Sequence, residues 1–146
     1  MSTLPFRICS LSLFLCSLAP SSTLFADTMS RTVTHVRDGD TIVVGKQAIR
    51  LNGIAAPERN EPGGNEATAY MRQLVLGKLL NCMDNGKWTH DRLVAVCHLN
   101  GEDIGRLIVA AGLARDCPRF SGGRYTGAET AARRALPFPR HCKRKE

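Results

Sequence analysis

Four cysteines beyond the first 26 residues, Cys82, Cys97, Cys117 and Cys142, constrain this chain more than any other feature. None stands in a C-x-x-C pair, and His35, His90, His98 and His141 are scattered, so zinc-ligand spacing is absent. An even set without metal spacing reads as two disulfides, with three connectivities possible. Disulfides need an oxidising compartment, and the start of the chain offers a route to one. A short segment with one positive charge, Arg7, precedes an apolar run from Ile8 to Ala19 and a polar stretch from Pro20 to Ala26. The run is shorter than the roughly 20 residues of a membrane-spanning helix. The three regions have the order of a secretory signal peptide, cleaved after Ala26 or, alternatively, after Ser21. Residues 1–26 are therefore expected to be a leader and residues 27–146 one exported domain, secreted or periplasmic, with a modest core.

Local patterning fills in that domain. Arg31 to Arg37 alternates with β-branched residues and reads as a strand; Asp38-Gly39-Asp40 turns the chain into a second, Thr41 to Val44. Gly45-Lys46 leads into a third, Gln47 to Ile54, followed by a polar loop from Ala55 to Pro62. Asn65 to Leu76 has helical spacing and stops at Gly77. Lys78 to Met83 and Leu93 to Leu99 read as a fourth and a fifth strand. Asp103 is placed to cap a helix that runs to Ala111 and ends at Gly112, and Tyr125 to Ala135 reads as a last helix. Strands, a helix, two more strands and then helices is the order of an α+β fold: a five-stranded OB-type barrel with about three helices. An α+β sandwich of the same elements is the alternative.

The barrel order suggests a pairing. If the fourth and fifth strands are neighbours, Cys82 and Cys97 lie about equally far from the middle of their connection and can face each other. A tight turn at Asn85-Gly86 would instead set Cys82 opposite Thr89. The expected pairs are Cys82–Cys97 and Cys117–Cys142, the second tying a basic tail to the body.

Charge separates the two ends of the domain. From Asp27 to Gly105, nine Lys and Arg stand against ten Asp and Glu; from Arg106 to Glu146, ten stand against three. A basic C-terminal third points to a polyanion, nucleic acid or an acidic polysaccharide. The plainer reading is a solvated basic surface.

One constellation goes beyond composition: Asp38-Gly39-Asp40-Thr41, then Arg50-Leu51, then Gly53-Ile54-Ala55-Ala56-Pro57-Glu58, and later Asp91-Arg92. Each piece alone has a bland reading as turn chemistry, a loop brace or a surface ion pair. Together they are the parts that phosphodiester cleavage needs. Guanidinium forks hold phosphate oxygens as charge builds, a carboxylate takes the proton of the attacking water, and a carboxylate-held cation neutralises charge.

This spacing resembles the staphylococcal-nuclease (thermonuclease) family over about Arg31 to Ala135, with Asn65-Glu66-Ala67 and Gly112-Leu113-Ala114 agreeing. The resemblance implies an OB barrel that hydrolyses DNA or RNA with the help of Ca²⁺. It assigns Asp40 to the metal, Arg50 and Arg92 to the phosphate, and Glu58 to the activation of water. Its partners would be single- or double-stranded nucleic acid or another polyanion, with no membrane contact after leader cleavage and no second subunit. The sequence departs from the family at Ala55, where a second metal-binding aspartate is usual, and at His90-Asp91-Arg92, where Tyr-Gly-Arg is usual. Calcium takes six to eight oxygens, so Ala55 predicts weak calcium binding or its replacement by another divalent cation, with Asp38 and Glu61 as possible extra ligands. Ala55→Asp alone is expected to restore the shell. The family's nucleotide-stacking tyrosines have no clear match after Gly112, leaving Phe120, Tyr125 and Trp88 as stand-ins. The rival class is an OB module that binds nucleic acid or another acidic polymer without cleaving it, in one version an accessory protein of exopolysaccharide production.

Overall fold

The computed structural model describes residues 28–134 and 138–143. The expected leader, Ala135 and the tail residues Arg144 and Lys145 lie outside the described residues.

Eight strands and four short helices make up the described chain: β1 (Thr28–Val36), β2 (Thr41–Val44), β3 (Gln47–Leu51), β4 (Ile54–Ala55), α1 (Gly64–Val75), β5 (Leu79–Thr89), β6 (Arg92–Leu99), β7 (Glu102–Asp103), α2 (Ile104–Ala110), β8 (Arg115–Asp116), α3 (Pro118–Ser121) and α4 (Ala131–Arg134). Along the main sheet the order is β3-β2-β1-β5-β6-β7, and β3 also pairs in parallel with β6. That extra pairing closes five strands into a ring, β1-β2-β3-β6-β5 and back to β1. The expected α+β fold with an OB-type barrel is what the chain forms. Closure leaves those strands without an open edge.

The apolar faces of the strands meet inside the ring and under the helices. Val33, Val36, Ile42, Ile49 and Leu80 from the strands pack with Met71 and Val75 of α1 and Ile104 and Ile108 of α2 in one buried core. Asp103 caps α2 as expected, its Oδ1 accepting the amides of Gly105 at 2.9 Å and Arg106 at 3.3 Å.

Two local expectations differ. The third strand stops at Leu51 because Gly53 turns at φ +80°, and its backbone runs so close to Ser121 that a Cβ would meet that side chain at 2.6 Å. The chain after the turn pairs with β8 instead, Ile54 with Asp116 and Ala55 with Arg115. The expected helix from Tyr125 reduces to a 3₁₀ turn at Thr126–Ala128 and the four-residue α4. Glu129 between them is extended (φ −64°, ψ 131°), and its Oε1 accepts the Asp116 amide at 2.8 Å and Arg115 Nε at 3.2 Å. Those long-range bonds hold the backbone away from the helical conformation that local pattern favours. The β5–β6 hairpin turns at His90-Asp91, with Thr89 opposite Arg92, and not at Asn85-Gly86, as the expected Cys82–Cys97 pair requires. Residues Asn85 to Lys87 bulge out of β5; the Asp84 carboxylate accepts the Gly86 amide and the Asn85 side-chain Oδ1 accepts the Lys87 amide.

The bulge sets the register that brings Cys82 opposite Cys97, with Cα atoms 4.0 Å apart, and the two form a disulfide. Cys117 and Cys142 form the other. Beside it lies a small apolar cluster separate from the main core, made of Ala55, Cys117 and Cys142 with Phe138 packed on it.

Candidate active site

Two glycines bring the site's segments together. A Cβ on Gly39 would meet the side chains of Ala56 and Ala67 at 2.7 and 2.8 Å, so the β1–β2 turn lies directly on the following loop and on α1. A Cβ on Gly64 would strike the Glu58 carbonyl oxygen at 1.8 Å, so the Glu58 loop is laid against the start of α1. The sequence can place Asp40 beside Ala56 and Glu58 beside α1 only because both positions lack a side chain.

Asp40 directly precedes β2 and is buried. Its Oδ2 accepts the Ala56 amide at 3.0 Å and pairs with Arg50 Nη2 at 2.9 Å, while Oδ1 accepts the Thr41 hydroxyl at 3.2 Å. Burial pushes its carboxyl up to about 6, with the Arg50 guanidinium pulling the other way. Arg50 stands opposite Thr41 in the β2–β3 register and also donates to the carbonyls of Leu51 and Ile54, each at 2.8 Å. Arg92 opens β6, and its Nη1 donates to the Thr41 hydroxyl at 3.1 Å. A continuous chain of contacts thus runs Arg92, Thr41, Asp40, Arg50. Asp91 pairs with Arg37 at 2.8 Å rather than with its neighbour.

Asp40, Arg50, Glu58 and Arg92 all line one cleft of about 1220 Å³. The Glu58 side chain is exposed, and its carboxylate takes no hydrogen bond or ion pair from any described residue. That is the state in which a carboxylate can receive a proton from water.

The residues at Asp40 do not make a calcium shell. Both Asp40 oxygens are engaged, one of them by a guanidinium whose charge opposes a second cation. Asp38 Oδ1 accepts the Asp40 amide at 3.0 Å, and Glu61 Oε2 accepts the Glu58 amide at 3.0 Å, so both carboxylates brace backbone. Ala55 is buried against the Cys117–Cys142 disulfide and Phe138. Among the described residues, the group of three or more His, Cys, Asp or Glu side chains with ligating atoms in reach of one another is Cys117, His141 and Cys142, and its two sulfurs are joined to each other. Six to eight oxygens cannot be assembled from this set without water supplying most of them.

Sequence pattern misses most of the cleft's other wall. Lys87 and Trp88 from the bulge, Arg115, Arg119, Phe120, Arg133, Phe138 and His141 all face the same space as Glu58. Trp88 is 60% and Phe120 52% exposed. Tyr125 is not a stand-in for a stacking tyrosine: it is 1% exposed and donates to Asp103 Oδ2 at 3.0 Å. The charge asymmetry toward the C-terminus is the signal for this wall, and the Cys117–Cys142 bridge is what folds it back over the cleft.

The chain is 28% identical over 110 residues to the succinoglycan biosynthesis protein ExoI of Rhizobium meliloti (strain 1021), covering 67% of this chain and 58% of that one. It is 34% identical over 77 residues to an uncharacterized 38.1 kDa protein of Capnoides sempervirens, covering 53% of this chain and 23% of that one. The match therefore spans just over half of the first relative's length and about a quarter of the second's. The model of the staphylococcal nuclease homologue family matches residues 48–135, which include Arg50, Glu58 and Arg92. This chain belongs to the staphylococcal nuclease homologue family.

Proposed function

We propose that the cleft binds a nucleic-acid strand, DNA or RNA, and hydrolyses its phosphodiester bonds as an exported endonuclease. The observation that carries this reading is the meeting of Arg50, Arg92 and an unpartnered Glu58 on one cleft. The two guanidiniums donate to the non-bridging phosphate oxygens and stabilise the charge that builds at five-coordinate phosphorus. Glu58 takes a proton from water as the new O–P bond forms, and the ester P–O bond breaks with the proton passing to the leaving oxygen. Asp40 orients Arg50, and through Thr41 it orients Arg92. Its place in the ion pair makes it a weak cation ligand, so calcium binds weakly and another divalent cation can replace it. Trp88 and Phe120 offer exposed rings on which unpaired bases stack, which favours a single strand. Two disulfides and an expected leader support work outside the cytoplasm; among the described residues no helix is long and apolar enough to cross a membrane.

A second reading rests on Ala55 and on the similarity to a succinoglycan biosynthesis protein. It makes the domain a module that binds an acidic polymer without cutting it. One incubation separates the two. Single-stranded DNA is mixed with the protein in calcium, in manganese or magnesium, and in chelator, and both mobility and fragment length are read. Shortened strands support the nuclease; strands that are retarded but intact support the binding module.

A further inference from the structure

We propose that the C-terminal wall of the cleft carries a second anion subsite, built around Arg133 with Arg119 and His141, that takes a phosphate of the strand other than the one at Glu58. The proposal rests on the reading that the cleft accepts a phosphodiester chain, and its test is chosen so that the two can fail separately.

Arg133 is the telling residue. It lies on α4, lines the cleft, and its Nε is buried with no hydrogen-bond partner among the described residues. Leaving a buried guanidinium N–H unpaired is costly; the N–H itself is shut off from the cleft, and a ligand oxyanion would offset the cost by setting negative charge beside the half-buried side chain. The local charge points the same way. Arg115 repels Arg133, and the Glu129 carboxylate attracts it. Glu129 Oε1 is already shared by Arg115 Nε and the Asp116 amide. Burial first, and then Arg115, hold Arg133 below the usual arginine range, with Glu129 acting the other way. An incoming phosphate would add negative charge beside the two arginines.

The wall is also held in place. Cys117–Cys142 ties the tail to the body, the Arg115 guanidinium lies 4.6 Å from the Phe138 ring centroid, and a His141 ring nitrogen sits within 4.8 Å of the bridge sulfurs. Exposed Arg119 reaches the same cleft with its guanidinium 5.3 Å from the Phe120 ring centroid, which joins a cation to a stacking surface. Guanidinium forks of this kind match phosphate oxygens in pairs.

The test uses Trp88, the chain's single tryptophan and a lining residue of the cleft, as a fluorescence reporter. Thymidylyl-thymidine, with one internal phosphate, and a thymidine hexanucleotide are titrated into the wild-type protein, Arg133→Gln, Arg119→Gln and the double variant. The expected result is a hexanucleotide affinity lowered about fivefold or more by Arg133→Gln and further in the double variant. Dinucleotide affinity should stay the same, and the hexanucleotide salt slope should fall by roughly 0.7 for each phosphate that is no longer neutralised. Arg119 is exposed, so Arg119→Gln gives a result even if Arg133→Gln folds poorly. Equal hexanucleotide affinity in all four proteins would overturn the subsite while leaving the nuclease reading intact. Calorimetry with inorganic pyrophosphate covers the converse. If no oligonucleotide binds, but pyrophosphate binds the wild type and not Arg133→Gln, the subsite stands and the nucleic-acid reading falls. If pyrophosphate also fails to bind, both fall.

Discussion

Arg50 Nη2 lies 2.9 Å from Asp40 Oδ2 inside the barrel mouth, with the two side chains 18% and 7% exposed. The pair joins the start of β2 to β3, and through the Ala56 amide it fixes the loop that carries Glu58. Removing one member of a buried pair leaves the other charge uncompensated and costs about 3–5 kcal/mol. Asp40→Ala should therefore lower the unfolding free energy by about 3 kcal/mol in chelator, as read by urea denaturation. Asp40→Asn, which keeps an acceptor for Ala56, should lower it less. Unchanged stability of Asp40→Ala in chelator would mean that Asp40 serves a cation and not the fold.

Ala55 gives a related expectation. From sequence alone, a single Ala55→Asp change should rebuild a calcium shell. The structure corrects this, because Ala55 is 5% exposed and packs on Cys117, Cys142 and Phe138. A carboxylate placed there is buried against a disulfide and a ring, at a cost of several kcal/mol as the charged form. Ala55→Asp should melt at lower temperature and gain no calcium affinity by calorimetry. Full stability together with new calcium binding would contradict the packing argument.

The Cys82–Cys97 bridge closes a loop across a sequence separation of 15 residues. A loop of that size contributes about 3 kcal/mol by restricting the unfolded chain. Cys82→Ser should lose roughly that amount in denaturant unfolding. Denatured, unreduced protein lacking the leader should show no titratable thiol. Two or more thiols would remove the disulfide account.

Tyr125 links the last segment to the cap of α2. Its hydroxyl donates to Asp103 Oδ2 at 3.0 Å, and burial, then the Asp103 charge, push its phenol up to about 12 from an ordinary value of 10.0. The folded state holds the phenol proton more tightly than the unfolded chain does. Stability from that proton is complete below pH 10.0 and is lost as pH rises toward about 12. Tyr125→Phe should cost about 1 kcal/mol at neutral pH and flatten the alkaline decline. A wild-type phenolate signal from Tyr125 at its ordinary pH would contradict the buried hydrogen bond.

How much of this is legible in the sequence follows from how local each cause is. β2 can be read to the residue because Thr41 to Val44 has turns on both sides, and the α2 cap because Asp103 acts on its immediate neighbours. That Asp40, Arg50 and Arg92 meet on one cleft follows from spacing, since strands β2, β3 and β6 hold their segments at fixed register, while Glu58 joins them on a loop laid against α1. The β5–β6 connection has two readings in the sequence, and the best local turn at Asn85-Gly86 loses, as the expected cysteine pairing requires, to the register that joins Cys82 to Cys97. The last helix is overextended because Glu129 bonds to β8, a partner that periodicity cannot see. Arg119, Arg133 and Phe138 enter the cleft through a disulfide 25 residues long in sequence, so only their charge and composition announce them.

The most direct measurement of the central claim is strand cleavage by Glu58→Gln beside the wild type, with oligonucleotide affinity read on the same samples by Trp88 fluorescence. The substitution is nearly isosteric and leaves Arg50, Arg92 and the Glu61 contact to the residue-58 amide in place. Glu58→Gln should cut at a rate lowered by roughly 10²- to 10⁴-fold, the range for loss of a general base, and bind with unchanged affinity. Cleavage by Glu58→Gln at the wild-type rate, or no cleavage by the wild type in any divalent cation while the strand still binds, would contradict the nuclease reading.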